Sequence, residues 1–246
     1  MAFILTITSG LATLIGTIPI FIKIRNKDKL IGISCSFASG VMLCISIIDL
    51  IPESINYLRN NYHEFTIIMS FIFIVLGIIS SYYLDKIIDK TSTGNNLYKV
   101  GILSMIVIIL HNIPEGIITY IVSNRDIILG ISICLAIALH NIPEGISIAI
   151  PIYYSTKSKL KAFLYTFISA LSELIGALIT YLFLNRYIND TFIGLLLSFI
   201  AGIMLCISLE RLYPTANNYN NKLSKIAFII GIIFMLISLR LNNLIS

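Results

Sequence analysis

The sequence predicts an all-α membrane protein whose eight transmembrane helices form a 3+2+3 inverted-repeat arrangement. Three observations lead there. Of 246 residues, 57% are hydrophobic and only 12% charged, whereas a soluble domain is about 25% charged. Eight runs are long and apolar enough to cross a bilayer. Segments of the chain also recur at fixed offsets, with an odd number of crossings between the copies.

The elements follow in order. The first run, roughly 1–22, has no basic residue before it and no small-x-small site at its end. It therefore reads as a spanning helix, not a cleavable signal. Its basic cluster, Lys23, Arg25, Lys27 and Lys29, comes after it. The second run, 30–52, holds Ser36–Pro52, SFASGVMLCISIIDLIP, and the third is 64–88. The fourth (98–123) and fifth (127–153) each carry His-Asn-Ile-Pro-Glu-Gly, at His111–Gly116 and His140–Gly145. The sixth, 160–184, contains SALSELIG at Ser169–Gly176, which matches SGLATLIG at Ser9–Gly16 of the first with an offset of 160. The seventh, 191–212, runs into Ser198–Pro214, SFIAGIMLCISLERLYP, identical to the segment in the second run at ten of seventeen positions with an offset of 162. The eighth is 223–244.

Helices 1–3 thus resemble helices 6–8, and helix 4 resembles helix 5. Five crossings separate the starts of helices 1 and 6, so the copies point in opposite directions. Inverted repeats of this kind place a substrate site near the bilayer midplane. The matching Gly, Ser, Cys and Pro positions argue against chance likeness between apolar helices. Residues 1–246 read as a single transmembrane transporter domain. The connections are short, and no phosphate-binding loop appears, so transport draws on a gradient unless a separate subunit supplies energy.

Of the 17 Lys and Arg, 13 fall in or at the edges of the connections 1–2, 3–4, 5–6 and 7–8, with Arg211 counted in the last. The positive-inside rule puts both termini outside the cytoplasm. The same asymmetry explains the net charge of +5 without nucleic acid as a partner; the partner expected is the lipid bilayer of the cell membrane. Tyr57, Tyr62, Tyr82, Tyr83, Tyr98, Tyr153, Tyr154 and Tyr187 gather near helix ends, as an interfacial belt requires. Cys35, Cys44, Cys134 and Cys206 make no CxxC pair and read as small apolar helix residues.

The chemistry lies in the centre. On a helix, residues i and i+4 share a face, so His111 projects with Glu115 and His140 with Glu144. Pro114 and Pro143 each remove a backbone hydrogen bond, against the carbonyls of Leu110 and Leu139, which predicts a kink beside the ligands. His111, His140 and Glu173 are each about the fourteenth residue of their runs. Of twelve Asp and Glu, only Glu115, Glu144 and Glu173 fall deep in the membrane, with no Lys or Arg beside them. A lone charge there costs about 2.5–3.5 kcal/mol on insertion scales. Two His and two or three Glu without a basic partner call for a cation. A single buried His is usually a satisfied core residue, but two identical His-x-x-x-Glu pairs at the centres of adjacent helices are not. Glu173 alone also fits a protonated packing residue.

Imidazole and carboxylate suit Zn(II), Fe(II), Co(II) and Mn(II); the lack of thiolate or Met clusters argues against Cu(I). The divalent metal, zinc first, is then a transported substrate, and no organic cofactor is expected. Asp49 and Glu53, at the far end of helix 2, fit an ion-access route or a plain solvated helix end equally well. His63 and Glu64 read as surface residues, and Glu210 as the partner of Arg211 in a local ion pair.

The paired HNIPEG motifs and the SALSELIGAL helix resemble the ZIP family of zinc and iron transporters, in particular its bacterial ZupT-type branch. The resemblance covers essentially the whole chain. It implies a binuclear site, with His111, Glu115, His140 and Glu144 forming the first metal position. Asn112, Asn141 and Glu173 would form the second, with Glu115 and Glu144 bridging. It further implies a bundle of helices 1, 4, 5 and 6 moving against helices 2, 3, 7 and 8, uptake toward the cytoplasm, and a homodimer, which is common in the family. Relatives often carry a histidine-rich loop between helices 3 and 4. Here that loop reads DKIIDKTSTGNN, so metal sensing through it is not expected. The expectation is a divalent-metal transporter (zinc, with iron, manganese, cobalt and cadmium as further candidates), not an enzyme. An intramembrane metalloenzyme and a metal-sensing membrane protein are the alternatives, the former weakened by the absence of HExxH.

Overall fold

The computed structural model describes residues 1–22, 26–91, 94–184 and 189–245, and among them the regular elements are all helical. Among the described residues eight helices are long and apolar enough to cross a membrane. These are α1 (Ala2–Ile20), α2 (Lys27–Arg59), α3 (Thr66–Lys90), α4 (Asn96–Arg125), α5 (Ile127–Thr156), α6 (Lys159–Phe183), α7 (Asp190–Tyr219) and α8 (Lys222–Arg240). They match the eight expected runs in order. Lys23, Arg25 and Tyr187, and the side chains of Tyr62 and His63, lie outside the described residues.

The helix ends are set by side-chain caps. Asn26, Asn95, Ser158 and Asn189 each accept a backbone N–H of the first turn that follows, satisfying donors that a helix start leaves open. Asp126 alone joins α4 to α5, and its carboxylate accepts from the N–H groups of Ile128 and Leu129. A one-residue joint leaves the two motif-bearing helices no choice but to pack as neighbours.

Two helices run further than the apolar pattern suggests. α2 continues past Pro52 and α7 past Pro214. Each proline is the second residue of a helical segment, Ile51–Tyr62 or Tyr213–Ile245, that continues directly from a widened turn, which accommodates the hydrogen bond the proline cannot donate. Each segment follows a π turn, Ser46–Leu50 or Ser208–Leu212, and these two turns are related by the same offset of 162 as the sequence repeat. The backbone of Tyr213–Ile245 is helical, yet Ser224 Oγ donates to Ala216 O at 2.9 Å. A straight helix would separate those residues by about 12 Å, so the chain reverses there and α8 folds back. α4 and α5 are unbroken helices through Pro114 and Pro143.

Packing comes in mirrored pairs. α2 lies against α8 and α3 against α7, while α4 packs on α6 and α5 on α1. Glycines mark the closest approaches. A Cβ on Gly116 would strike Glu173 O and one on Gly145 would strike Thr13 O, 29 positions apart on α4 and α5. A Cβ on Gly176 would meet Ile113 O, and one on Gly16 would meet Ile142 O. Without a hydrophobic drive between helices in lipid, such small-residue contacts are what let backbones touch. Hydroxyls add to them: Ser39 Oγ donates to Ser208 O at 2.9 Å and Ser208 Oγ to Ser39 O at 2.8 Å, tying α2 to α7. Met42, Ile45, Ile108, Ile148, Ile152, Ile203 and Met204 are fully buried in one apolar cluster shared by α2, α4, α5 and α7. α3 lies at the periphery, with 17% of its most apolar stretch buried against 72% for α2.

Candidate metal centre

The two HNIPEG copies face each other across the α4–α5 interface. Their helical spacing projects His and Glu from one face of each helix, and the glycine contacts hold the helices close enough for the faces to meet. His111, His140, Glu115 and Glu144 are all buried. Glu115 Oε1 lies 3.0 Å from His111 Nε2 and 2.7 Å from His140 Nε2, while Glu144 Oε1 lies 3.5 Å from His111 Nε2. One ligand atom each from His111, Glu115 and His140 falls within 4.8 Å of the others.

The atoms are close without being used up. His111 Nε2, Glu115 Oε2 and both oxygens of Glu144 have no hydrogen-bond partner. Among the described residues the ion pairs of Glu115 and Glu144 are with histidines alone. Unpaired buried acceptors are costly, and a shared cation satisfies them together.

A second group of oxygens adjoins the first. Asn141 Nδ2 donates to Ser9 O at 2.9 Å and to Glu173 Oε1. Ser9 Oγ donates to Glu173 Oε2 at 2.5 Å. Asn112 Nδ2 donates to Ser169 O at 3.3 Å. The carbonyl oxygens Asn112 Oδ1 and Asn141 Oδ1 are buried without a partner. Glu173, on α6, is fully buried. The structure thus brings His111, Glu115, His140 and Glu144 together and joins Asn141 to Glu173 and to Ser9 of α1, while Asn112 is tied to the backbone of α6 at Ser169. Sequence reasoning had Ser9 in hand, as the first residue of a repeat segment, but no signal there pointed to a carboxylate.

Asp49 and Glu53 are not a detached helix end. They line a cavity of about 270 Å³ whose wall also includes Glu115 and His140. Asp49 lies in the π turn of α2, which turns its side chain toward α4 and α5. Glu210 departs from expectation. It is exposed, and Arg211 instead donates to Asp85 of α3 and, at 3.0 Å, to Asp89. Adjacent helix residues point about 100° apart, so Glu210 and Arg211 do not face one another. A larger groove of about 770 Å³ at this end, lined by Asp85, Leu103, Cys206 and Arg211, has none of the His or Glu of the centre in its wall. Cys35, Cys44, Cys134 and Cys206 are free thiols.

The chain matches a family described as "ZIP Zinc transporter" over residues 1–98 and 89–239. It is 36% identical to the zinc transporter ZupT of Clostridium perfringens, over 98% of this chain and 95% of that protein. To the zinc transporter ZupT of Streptococcus mutans it is 36% identical, over 98% and 97%. To that of Chlorobaculum parvum it is 37% identical, again over 98% and 97%.

Proposed function

Since the chain belongs to the ZIP family of zinc transporters, we propose that it carries zinc ions across a membrane, inward to the cytoplasm, through the buried centre between α4, α5 and α6. The single observation behind this reading is the convergence of His111, Glu115 and His140 in a buried cluster that no Lys or Arg joins among the described residues. His111, Glu115, His140 and Glu144 ligate one ion. Asn112, Asn141 and Glu173 complete a second position, with Glu115 and Glu144 shared. Two carboxylates and neutral imidazoles balance one divalent charge; the third carboxylate makes room for another. Iron, manganese, cobalt and cadmium suit the same donors.

The ion reaches the site through the cavity lined by Asp49 and Glu53, whose charge raises the local cation concentration. Weak oxygen donors and unpaired acceptors let the ion leave again, which a closed four-ligand site would not. With the basic connections in the cytoplasm, both termini face outward in the cell membrane. Two chains form a homodimer. The relatives are transporters by name, and enzymatic catalysis is not the family's activity.

The test is flux. Purified protein in liposomes enclosing a zinc-sensitive dye is exposed to zinc, iron, manganese, cobalt and cadmium at two proton gradients. Accumulation of zinc supports the reading, and no accumulation of any ion overturns it.

A further inference from the structure

We propose that Ser9 of α1 is a positioning residue for Glu173 and sets the affinity of the second ion position. This rests on the transport reading above and adds a residue outside its ligand set. Both oxygens of the buried Glu173 carboxylate have donors: Ser9 Oγ at 2.5 Å on Oε2, and Asn141 Nδ2 on Oε1. Ser9 also holds Asn141, whose Nδ2 donates to Ser9 O at 2.9 Å. One residue thus fixes two of the three groups of the second position.

The internal repeat separates this role from ordinary packing. The offset of 160 pairs Ser9 with Ser169 and Thr13 with Glu173, and the two motifs pair Asn141 with Asn112. The backbone half of the arrangement exists in both copies, since Asn112 Nδ2 donates to Ser169 O as Asn141 Nδ2 does to Ser9 O. The side-chain half exists once. Thr13 stands where Glu173's mirror would be, and its hydroxyl donates to Gly10 O at 2.7 Å. Ser169 Oγ has no partner. The serine hydroxyl is engaged only on the side that has a carboxylate.

Ser9 Oγ has a second acceptor within reach, Thr6 O at 3.0 Å. Its single proton serves one acceptor at a time, and Glu173 Oε2 is the nearer of the two. When an ion takes Oε2, the hydroxyl rotates to Thr6 O and no hydrogen bond is lost. The carboxylate is held in place before the ion arrives and released to it without an unpaired donor.

The experiment uses full-length protein: zinc titrations in detergent and zinc uptake in liposomes, for wild type, Ser9→Ala, Ser169→Ala, Glu173→Gln and Ser9→Ala/Glu173→Gln. Loss of an outer-sphere partner weakens metal binding by about 10–100-fold. Ser9→Ala is expected to weaken one of two zinc-binding steps about tenfold, raising KM while kcat moves less, and to do so more than Ser169→Ala. Because Ser9 acts through Glu173, the double variant is expected to bind zinc like Glu173→Gln alone, a non-additivity that a packing role would not produce. Equal effects of Ser9→Ala and Ser169→Ala, or additive losses in the double variant, overturn the proposal. If wild type takes up zinc while Ser9→Ala matches it, this inference falls alone. If wild type takes up no metal, the transport reading falls and this one with it.

Discussion

Glu115 Oε1 stands between the two imidazoles, 2.7 Å from His140 Nε2 on α5 and 3.0 Å from His111 Nε2 on its own helix. One carboxylate of α4 thereby joins both motifs, while Glu144 reaches only His111, at 3.5 Å. The two motifs are equal in sequence and unequal in what they touch.

Glu115→Ala is accordingly expected to abolish zinc uptake, with the zinc stoichiometry of the purified protein reduced as well. Losing even an outer-sphere group costs about 10–100-fold in metal affinity, and a group shared by both histidines costs at least that. Radioactive zinc uptake with expression-matched controls decides it: uptake near the wild-type rate removes Glu115 from the site.

His111→Ala and Glu144→Ala should each lose uptake while leaving the fold intact. Both side chains are buried, and both present atoms without hydrogen-bond partners. Truncation leaves a buried cavity, and His111→Ala also deprives Glu115 and Glu144 of their imidazole partner, so the melting temperature is expected to fall, more for His111→Ala than for Glu144→Ala. A thermal scan together with a flux assay reads the two effects apart, and unchanged flux in either variant would count against the ligand set.

Neutralising the approach should act on access. Asp49→Asn with Glu53→Gln is expected to raise KM for zinc several-fold at low salt, with little change in kcat. The difference should shrink near 0.15 M salt, where the screening length is about 8 Å. A salt-independent KM would show that the cavity's charge does not draw the ion.

Gly145→Ala tests the backbone approach of α5 to α1. The added Cβ meets Thr13 O, so the helices must part or the side chain must strain. Overpacking of this kind costs about 1–3 kcal/mol. The melting temperature should fall and uptake with it; a variant as stable and active as wild type would mean that α1 yields freely.

Arg211→Ala should cost stability without touching zinc affinity, because Arg211 bonds Asp85 and Asp89 on α3 and lies outside the centre. Its side chain is about a quarter exposed, which keeps the expected loss near the roughly 1 kcal/mol typical of solvent-accessible pairs. Differential scanning calorimetry and a zinc titration on the same sample measure both effects.

Much of this molecule was readable in one dimension. Apolar length and the sparse charges identified eight spans, because lipid tolerates little else. The i, i+4 spacing put each His with its Glu on one helical face. The roles that the sequence missed or left open act through side chains meeting across helices. Ser9 is an ordinary helix serine until α1 lies against α6, and Asp49 is a helix-end acid until the π turn of α2 brings it to the wall shared with Glu115. Arg211 pairs with residues more than 120 positions away, where sequence proximity favoured Glu210.

The sequence by itself determined how many times the chain crosses, which segments repeat, and which buried groups call for a cation, since these follow from local composition and helical period. Only the tertiary structure decided which atoms converge: that Glu115 sits between both histidines, that Glu173 is held from α1, and that the threonine at its mirror position keeps its hydroxyl on its own helix. A repeat fixes equivalent positions along the chain, but contacts between helices arise only where the helices dock, and docking depends on the glycines and hydroxyls of partners far away in sequence.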